Sequence, residues 1–344
     1  MIPFIMKPAY RFGAQTPWGG RALKDMFGKD APDDRTGESL EVSALPGLES
    51  RDPSGRTLSE LAARYGQSLT GTRAAGAFPL LLKLLDARER LSVQVHPDNA
   101  YASRREGKLG KTEAWLILNA EPDAELIYGL ASGVDAERLR GELARMGEPG
   151  AAGRIEACFN SVPVKPGDVF YIPAGTVHAI GAGIALYEIQ QSSDVTYRLW
   201  DGMRRDSDGR LRELHIDRAL DVIQPPPACS ALSGVSVPDG VNVRTVYIAN
   251  EYFALERLSV RGAMRQTGDR GSFAMLTALG GGALAGGGFE LSVRPGDTAL
   301  VPADAPQFDI IGELDVIKSY VPDRRALCAE LGGRACGVAG LLSD

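Results

Sequence analysis

Apolar residues in this chain come in short bursts. FPLLLKLL (78–85), LSVQV (91–95), AWLIL (114–118), ELIYG (125–129), DVFYI (168–172), ALYEIQ (185–190) and FELSV (289–293) are separated by turn-forming residues, among 41 glycines and 21 prolines. Short β-rich runs bounded in this way read as strands, and many of them predict a sandwich or barrel. Helical signals are few. Thr57, Leu58, Ser59 and Glu60 have the form of a capping box and open a helix ending near Gly66. Val134, Leu139, Leu143 and Met146 make a rough apolar stripe in VDAERLRGELARM. DRALDVIQPPP (217–227) reads as a helix stopped by prolines.

The pattern is built twice. VKPGDVFYIPAGTVH (164–178) is echoed without a gap by VRPGDTALVPADAPQ (293–307). Pro166, Gly167, Asp168, Pro173 and Ala174 return as Pro295, Gly296, Asp297, Pro302 and Ala303, while His178 is answered by Gln307. The second copy is expected to keep the fold and lack the chemistry. With the Pro-rich stretch as boundary, the expected division is residues 1–224, a second all-β unit at 225–325, and a tail at 326–344, either a short helix or disordered.

Composition narrows the classes. With 44% hydrophobic residues in 344, the chain has material for a large core. A net charge of −6 argues against general nucleic-acid binding, yet allows a local basic pocket. No signal peptide or membrane span is read, and a cytoplasmic protein, monomer or homodimer, is expected. Cys158, Cys229, Cys328 and Cys336 form no CxxC pair, so buried or incidental thiols are expected.

Of only three histidines, two fall in a promising set: Gln94, His96, Glu113 and His178. Gln94 and His96 are two apart and share one face of a strand, as does Ser92. A closed sheet would bring the three segments together. Two imidazoles, a carboxylate and an amide oxygen can surround one divalent metal. Zinc, iron, nickel, copper, manganese and cobalt all suit such donors. A mixed N/O set with no thiolate is of the catalytic rather than the structural kind. His215, in RELHI, has no partner at ligand spacing and is read as structural.

Gly167, Pro173, Gly175 and His178 together resemble the second motif of the cupin superfamily. FPLLLKLLDA, LSVQVHPDNAYA, GKTEAWLIL, PAGTVHAIGAG and EIQQSSDVTYRLWD resemble the type I phosphomannose isomerases, nearest their short bacterial form. Trp18-Gly19-Gly20 with Leu23, and GESLEVS (37–43), extend the match, which runs from about residue 3 to 320. The resemblance implies a mainly β protein: a cupin-type jelly-roll barrel with a few helices, plus a second, degenerate cupin-like β domain. It implies interconversion of mannose 6-phosphate and fructose 6-phosphate with one divalent metal, zinc by expectation. Gln94, His96, Glu113 and His178 would be the ligands. Arg198 would be catalytic, Ser92 and Lys111 would bind the phosphorylated sugar, and Glu188 is a candidate acid/base.

Aldose–ketose isomerisation through a cis-enediol needs a proton carrier, a stabiliser for the developing oxyanion and a grip on phosphate. Glu188 is assigned as carrier, with Lys111 or a metal-bound water as alternatives. Arg198, permanently charged, suits the enediolate. Lys83, inside LLLKLL, is a weaker pocket candidate, and Gln190, Gln191 and Ser192 are read as scaffold. Leu40 stands where the family often has an aromatic residue, and Gly202 also departs from its pattern, which leaves the rim and substrate preference open. Two other readings compete. One is a cupin metalloenzyme of another kind, either an iron oxygenase or a different sugar-phosphate isomerase. The other is a non-catalytic sugar-binding regulator, which would be expected to have lost a ligand or Arg198.

Overall fold

Each of the seven apolar runs forms a strand: Leu80–Ala87, Val93–Val95, Glu113–Ala120, Glu125–Leu130, Val169–Ile172, Ile184–Gln191 and Phe289–Val293. The computed structural model describes every residue except 75, 206–208, 226–229 and 343–344. Cys229, Pro226 and Pro227 therefore lie outside the described residues.

Six antiparallel strands make one sheet, in the order Ala9–Phe12, Thr36–Val42, Leu80–Ala87, Ile184–Gln191, Glu113–Ala120, Val169–Ile172. Five make a second, in the order Tyr197–Trp200, Val93–Val95, His178–Ile180, Glu125–Leu130, Phe159–Pro163. The two sheets face one another over Leu85, Trp115, Phe170 and Leu186 on one side and Leu126, Tyr128 and Ile180 on the other. The back of the five-stranded sheet is roofed by helices Ala136–Ala144, Ala151–Glu156 and Ile216–Val222, through Leu139, Leu143, Ile155 and Leu220.

The back of the six-stranded sheet meets the C-terminal unit. Leu82, Leu84, Tyr187 and Ile189 pack with Leu255, Met275, Leu300 and Ile317. At the centre of that contact Tyr187 Oη and Ser319 Oγ share a buried hydrogen bond of 2.8 Å. Leu80–Ala87 is thus covered on both faces, which is why it reads as a continuous apolar run.

The sequence echo is a repeat of architecture. The C-terminal sheet runs Val235–Asp239, Asn242–Ala249, Ala254–Gln266, Phe308–Tyr320, Ala274–Ala278, Thr298–Val301, and Phe4–Ile5 adds at its edge. Strand for strand, this is the order of the first, six-stranded sheet. Both Pro-Gly-Asp turns are closed alike. Asp168 accepts from the Lys165 N–H at 3.0 Å and Asp297 from the Arg294 N–H at 2.8 Å. Gly167 and Gly296 take the left-handed backbone, at φ 93° and 84°, that a side chain would strain.

The described residues hold more helix than the sequence pattern signals. Ala22–Phe27, Asn99–Glu106 and Ala151–Glu156 are too short for an apolar stripe to be read. After Val321 the chain forms helix Arg324–Leu331, whose Leu327 and Leu331 pack on Val235, Val246 and Ala254. No helix among the described residues is long and apolar enough to cross a membrane.

Helix Leu58–Tyr65 has its complete capping box: Thr57 Oγ1 accepts from the Glu60 N–H at 3.2 Å, and Glu60 Oε2 accepts from the Thr57 N–H at 2.8 Å. Thr57→Ala should therefore destabilise the protein by about 1 kcal/mol. Urea unfolding followed by circular dichroism would measure it as a lower midpoint at unchanged slope.

Candidate active site

The polar side chains of interest project into the space between the two facing sheets. In the five-stranded sheet Gln94 stands opposite His178 on one neighbour and opposite Arg198 on the other. In the six-stranded sheet Glu188 stands between Lys83 and Trp115, and Glu113 lies opposite Gln190. His96, just beyond Val93–Val95, keeps the parity of Gln94 and Ser92. Strand alternation thus sends these side chains to the inner side. Ser92, Gln94, Lys111, Glu188 and Arg198 line a cavity of about 270 Å³ there.

His96, Glu113 and His178 are essentially inaccessible to solvent, and one ligand atom from each lies within 4.8 Å of the others. Both imidazoles are oriented from behind. His96 Nδ1 lies 2.8 Å from the Val195 carbonyl and His178 Nδ1 lies 2.8 Å from the Thr176 carbonyl. A carbonyl only accepts, so each Nδ1 carries the proton and each Nε2 presents a lone pair inward. His178 Nε2 faces Glu113 Oε1 at 3.3 Å, and His96 Nε2 lies 3.7 Å from Glu113 Oε2. Glu113 Oε1 has no hydrogen-bond partner. Burial, reinforced by Lys111, pulls His178 down to about 3 and His96 well below its ordinary value, so both stay neutral. Three acceptors converging in this way form a donor set of the kind that holds a metal ion. Gln94 is adjacent, its amide nitrogen 3.4 Å from His178 Nε2. A flip of that amide presents its oxygen to the same point.

The Lys111 ammonium supplies the positive charge at this point. It bonds Glu113 Oε2 directly and lies 3.2 Å from His96 Nε2. Burial pulls it down to about 8, against the pull of Glu188 in the other direction. Behind it runs a chain of charges. Lys83 Nζ is 3.3 Å from Glu188 Oε1 and 3.6 Å from Glu38 Oε2, and Arg11 reaches Glu38 at 3.3 Å. Trp115 donates its indole N–H to Glu188 at 2.9 Å. Burial alone would raise Glu188, but Lys111 and Lys83 outweigh it and hold the carboxylate well below its usual range.

Arg198, opposite Gln94 on the neighbouring strand, lines the same cavity. Its Nη1 donates to the Glu213 carbonyl at 2.8 Å, and its buried Nε has no partner. Burial and the nearby Arg212 both lower it, although it stays a cation. His215 accepts from the Arg198 backbone N–H at 3.1 Å and rests on Tyr197. Ser92 is buried on the cavity wall. Gln190 donates to the Gln191 and Ser193 carbonyls, and Gln191 accepts from the Thr112 N–H. Among the sequence candidates, then, Gln94, His96, Lys111, Glu113, His178 and Glu188 are brought together, and Ser92 and Arg198 border the same cavity.

Sequence reasoning missed Arg11, Glu38 and Arg212, all on the cavity wall. Glu38 was within reach of inspection, as a carboxylate inside GESLEV, a strand buried along its whole length. Arg11 and Arg212 carry no local signal. Lys83 belongs to the charge chain rather than the margin.

Two apposed antiparallel sheets, a repeated Pro-Gly-Asp edge and a buried His–Glu–His group between the sheets define a cupin-type protein. The family description "Phosphomannose isomerase type I, catalytic domain" matches residues 10–123, and "Mannose-6-phosphate isomerase, cupin domain" matches residues 243–321. The mannose-6-phosphate isomerase of Streptococcus mutans serotype c is 37% identical over 313 residues, 88% of this chain and 94% of that protein. ManA of Bacillus subtilis, of the same name, is 36% identical over 326 residues, covering 93% and 99%. The crystal structure of a Bacillus subtilis mannose 6-phosphate isomerase superposes with a TM-score of 0.83 at 33% identity, covering 93% of this chain and 99% of that one. The chain belongs to the type I phosphomannose isomerase family.

His178→Ala and Glu113→Gln should each weaken binding of a divalent cation by at least about tenfold, the loss expected even of a supporting residue. Equilibrium dialysis against zinc with metal analysis measures this, with cooperative thermal unfolding of each variant as the folding control.

Proposed function

We propose that this chain is a metal-dependent mannose-6-phosphate isomerase. It would hold one divalent cation, zinc by expectation, on His96, Glu113, His178 and the flipped amide of Gln94. The observation that carries the reading is the convergence of unprotonated acceptors between the sheets in a chain of this family. Bound there, the cation would polarise the oxygens on C1 and C2 of the sugar and stabilise negative charge as it develops on them.

The chain's own residues supply the rest. Conversion of the aldose to the ketose takes a proton from C2 and delivers one to C1 through a cis-enediol, while the hydroxyl proton moves from O2 to O1. Two groups are candidates for carrying the carbon proton. Glu188 is ionised and so able to accept, but the two lysines that keep it ionised also make it a weak base. Lys111, pulled down to about 8, lies closer to working pH and already sits against the convergence point. We assign the proton transfer to Lys111, with Glu188 holding Lys111 and Lys83 in place through charge. Arg198 has no carboxylate partner among the described residues, and Arg212 lies nearby. Arg198 would stabilise the enediolate and, with Ser92, contact the substrate in the cavity both residues line.

Purified protein should convert mannose 6-phosphate to fructose 6-phosphate in a coupled assay, lose activity on chelation and regain it on adding zinc. A folded, zinc-replete protein with no turnover would exclude the reading. Lys111→Met should lower kcat by about 10²–10⁴, the range of a general acid–base group. Arg198→Met should lower kcat/KM by about 10²–10³, the range for loss of one oxyanion donor. If Glu188→Gln costs far more than Lys111→Met in kcat, the two roles are reversed.

A further inference from the structure

The duplicated architecture places a second polar cluster at the position of the first. When Pro166-Gly167-Asp168 is matched to Pro295-Gly296-Asp297, the sheet registers carry the match inward. Glu113 pairs with Ile172 and Ala274 with Val301, so Ala274 occupies the place of Glu113. Two residues further on, the row Trp115, Glu188, Lys83 becomes Leu276, Lys318, Glu256. On the next strand Glu38 opposite Leu85 becomes Arg244 opposite Leu258. The metal donors are gone, but the row Glu38, Lys83, Glu188 recurs with every charge reversed, as Arg244, Glu256, Lys318.

Arg244 and Lys318 of this reversed row border a cavity of about 400 Å³. Leu258, Met264, Leu276 and Phe308 give it an apolar wall. Arg244 and Glu256 satisfy each other through two hydrogen bonds of 2.9 Å. Tyr320 Oη donates to Glu256 at 2.6 Å, and the remaining Arg244 nitrogen is taken by Glu330 at 2.6 Å. Lys318 is the charge left over. Its Nζ makes a single hydrogen bond of 3.2 Å, to Gln266 Oε1, and lies 5.2 Å from the centre of the Tyr320 ring. No carboxylate among the described residues lies within ion-pairing distance of it, whereas the matching Lys83–Glu188 pair is closed at 3.3 Å. An ammonium has three N–H donors, and Lys318 fills one of them. A partly buried lysine that lines open space, with two donors free of protein partners among the described residues, is a place for a ligand's negative charge.

We propose that the C-terminal unit binds a small organic monocarboxylate, its carboxylate on Lys318 Nζ and its apolar body against Leu258, Met264, Leu276 and Phe308. The pairing selects the class. Of the two cations in the reversed row, Lys318 alone has no described carboxylate within ion-pairing distance, so a single carboxylate is the group it would pair with. A phosphate dianion would need a second free cation, and Arg244 is committed to Glu256 and Glu330 and Arg265 to Asp309. Asp239, Asp269 and Glu330, which also line the cavity, would repel a more highly charged anion. The size of the cavity and its mixed lining suit a ligand with one polar end.

Titration calorimetry on the full chain tests this with hexanoate as probe, 1-hexanol as its uncharged counterpart and inorganic phosphate as the dianion. Hexanoate should bind saturably, and hexanol and phosphate should bind at least about tenfold more weakly, as loss of a charge-assisted hydrogen bond predicts. Lys318→Met should weaken hexanoate binding by a similar factor, while Lys318→Arg, which keeps the charge, should retain it. Turnover of mannose 6-phosphate by Lys318→Met at the wild-type rate would show that this variant is folded. Absence of hexanoate binding, equal binding by Lys318→Met and wild type, or phosphate binding more tightly than hexanoate would each overturn the proposal.

Discussion

Three acceptors meeting in a water-poor interior constrain everything around them. His96 Nε2, His178 Nε2 and the Glu113 carboxylate would repel one another unless a positive charge lay among them. The sheets supply the means of holding them there. Val195 and Thr176 fix the two imidazoles through their rear nitrogens, burial keeps both rings neutral, and Lys111 provides a cation against Glu113. Each of these would be an odd choice for a core whose task was only to be stable. Buried ionic groups contribute little to stability compared with an apolar core of the same volume. Their expense makes sense for a site that handles charged substrate chemistry, which is how we read it.

The same fold, built twice, shows what is scaffold and what is chemistry. Both copies retain the strand order and the Pro-Gly-Asp turn with its Asp-to-backbone hydrogen bond. Only the first retains the donors, since Ala274 and Gln307 replace Glu113 and His178. The two sheets pack back to back through an apolar layer, with the Tyr187–Ser319 hydrogen bond at its centre. The residues next to those two in the chain, Glu188 and Lys318, face away from the layer into the two separate cavities, as strand alternation requires. A continuous layer of this kind makes the second copy part of what positions the first, because it covers the otherwise exposed back of Leu80–Ala87 and Ile184–Gln191.

Much of this was legible in the chain. Apolar runs between turn residues translate directly into strands. The parity of Ser92, Gln94 and His96 placed them on one face, and the repeated turn announced the duplication. Three things were not. Short helices such as Ala22–Phe27 and Asn99–Glu106 bury only Leu23 and Ala102, too little to leave a periodic trace. The charge chain through Arg11, Glu38 and Lys83 depends on register between strands distant in sequence, which no local pattern encodes. The reversed charges of Arg244, Glu256 and Lys318 emerge only when those registers are laid side by side. The motif resemblance named Glu188 as an acid/base candidate. Its electrostatic setting, between two lysines, is why we propose Lys111 as the proton carrier instead.

The central claim is that one divalent cation sits among His96, Glu113 and His178. Anomalous diffraction from crystals of the zinc-loaded protein, collected on both sides of the zinc absorption edge, addresses it directly. The account predicts a single strong peak within coordination distance of both Nε2 atoms and the Glu113 carboxylate, with the Lys111 ammonium displaced from that carboxylate. A peak elsewhere, or none between the sheets with Lys111 still bonded to Glu113, would contradict it.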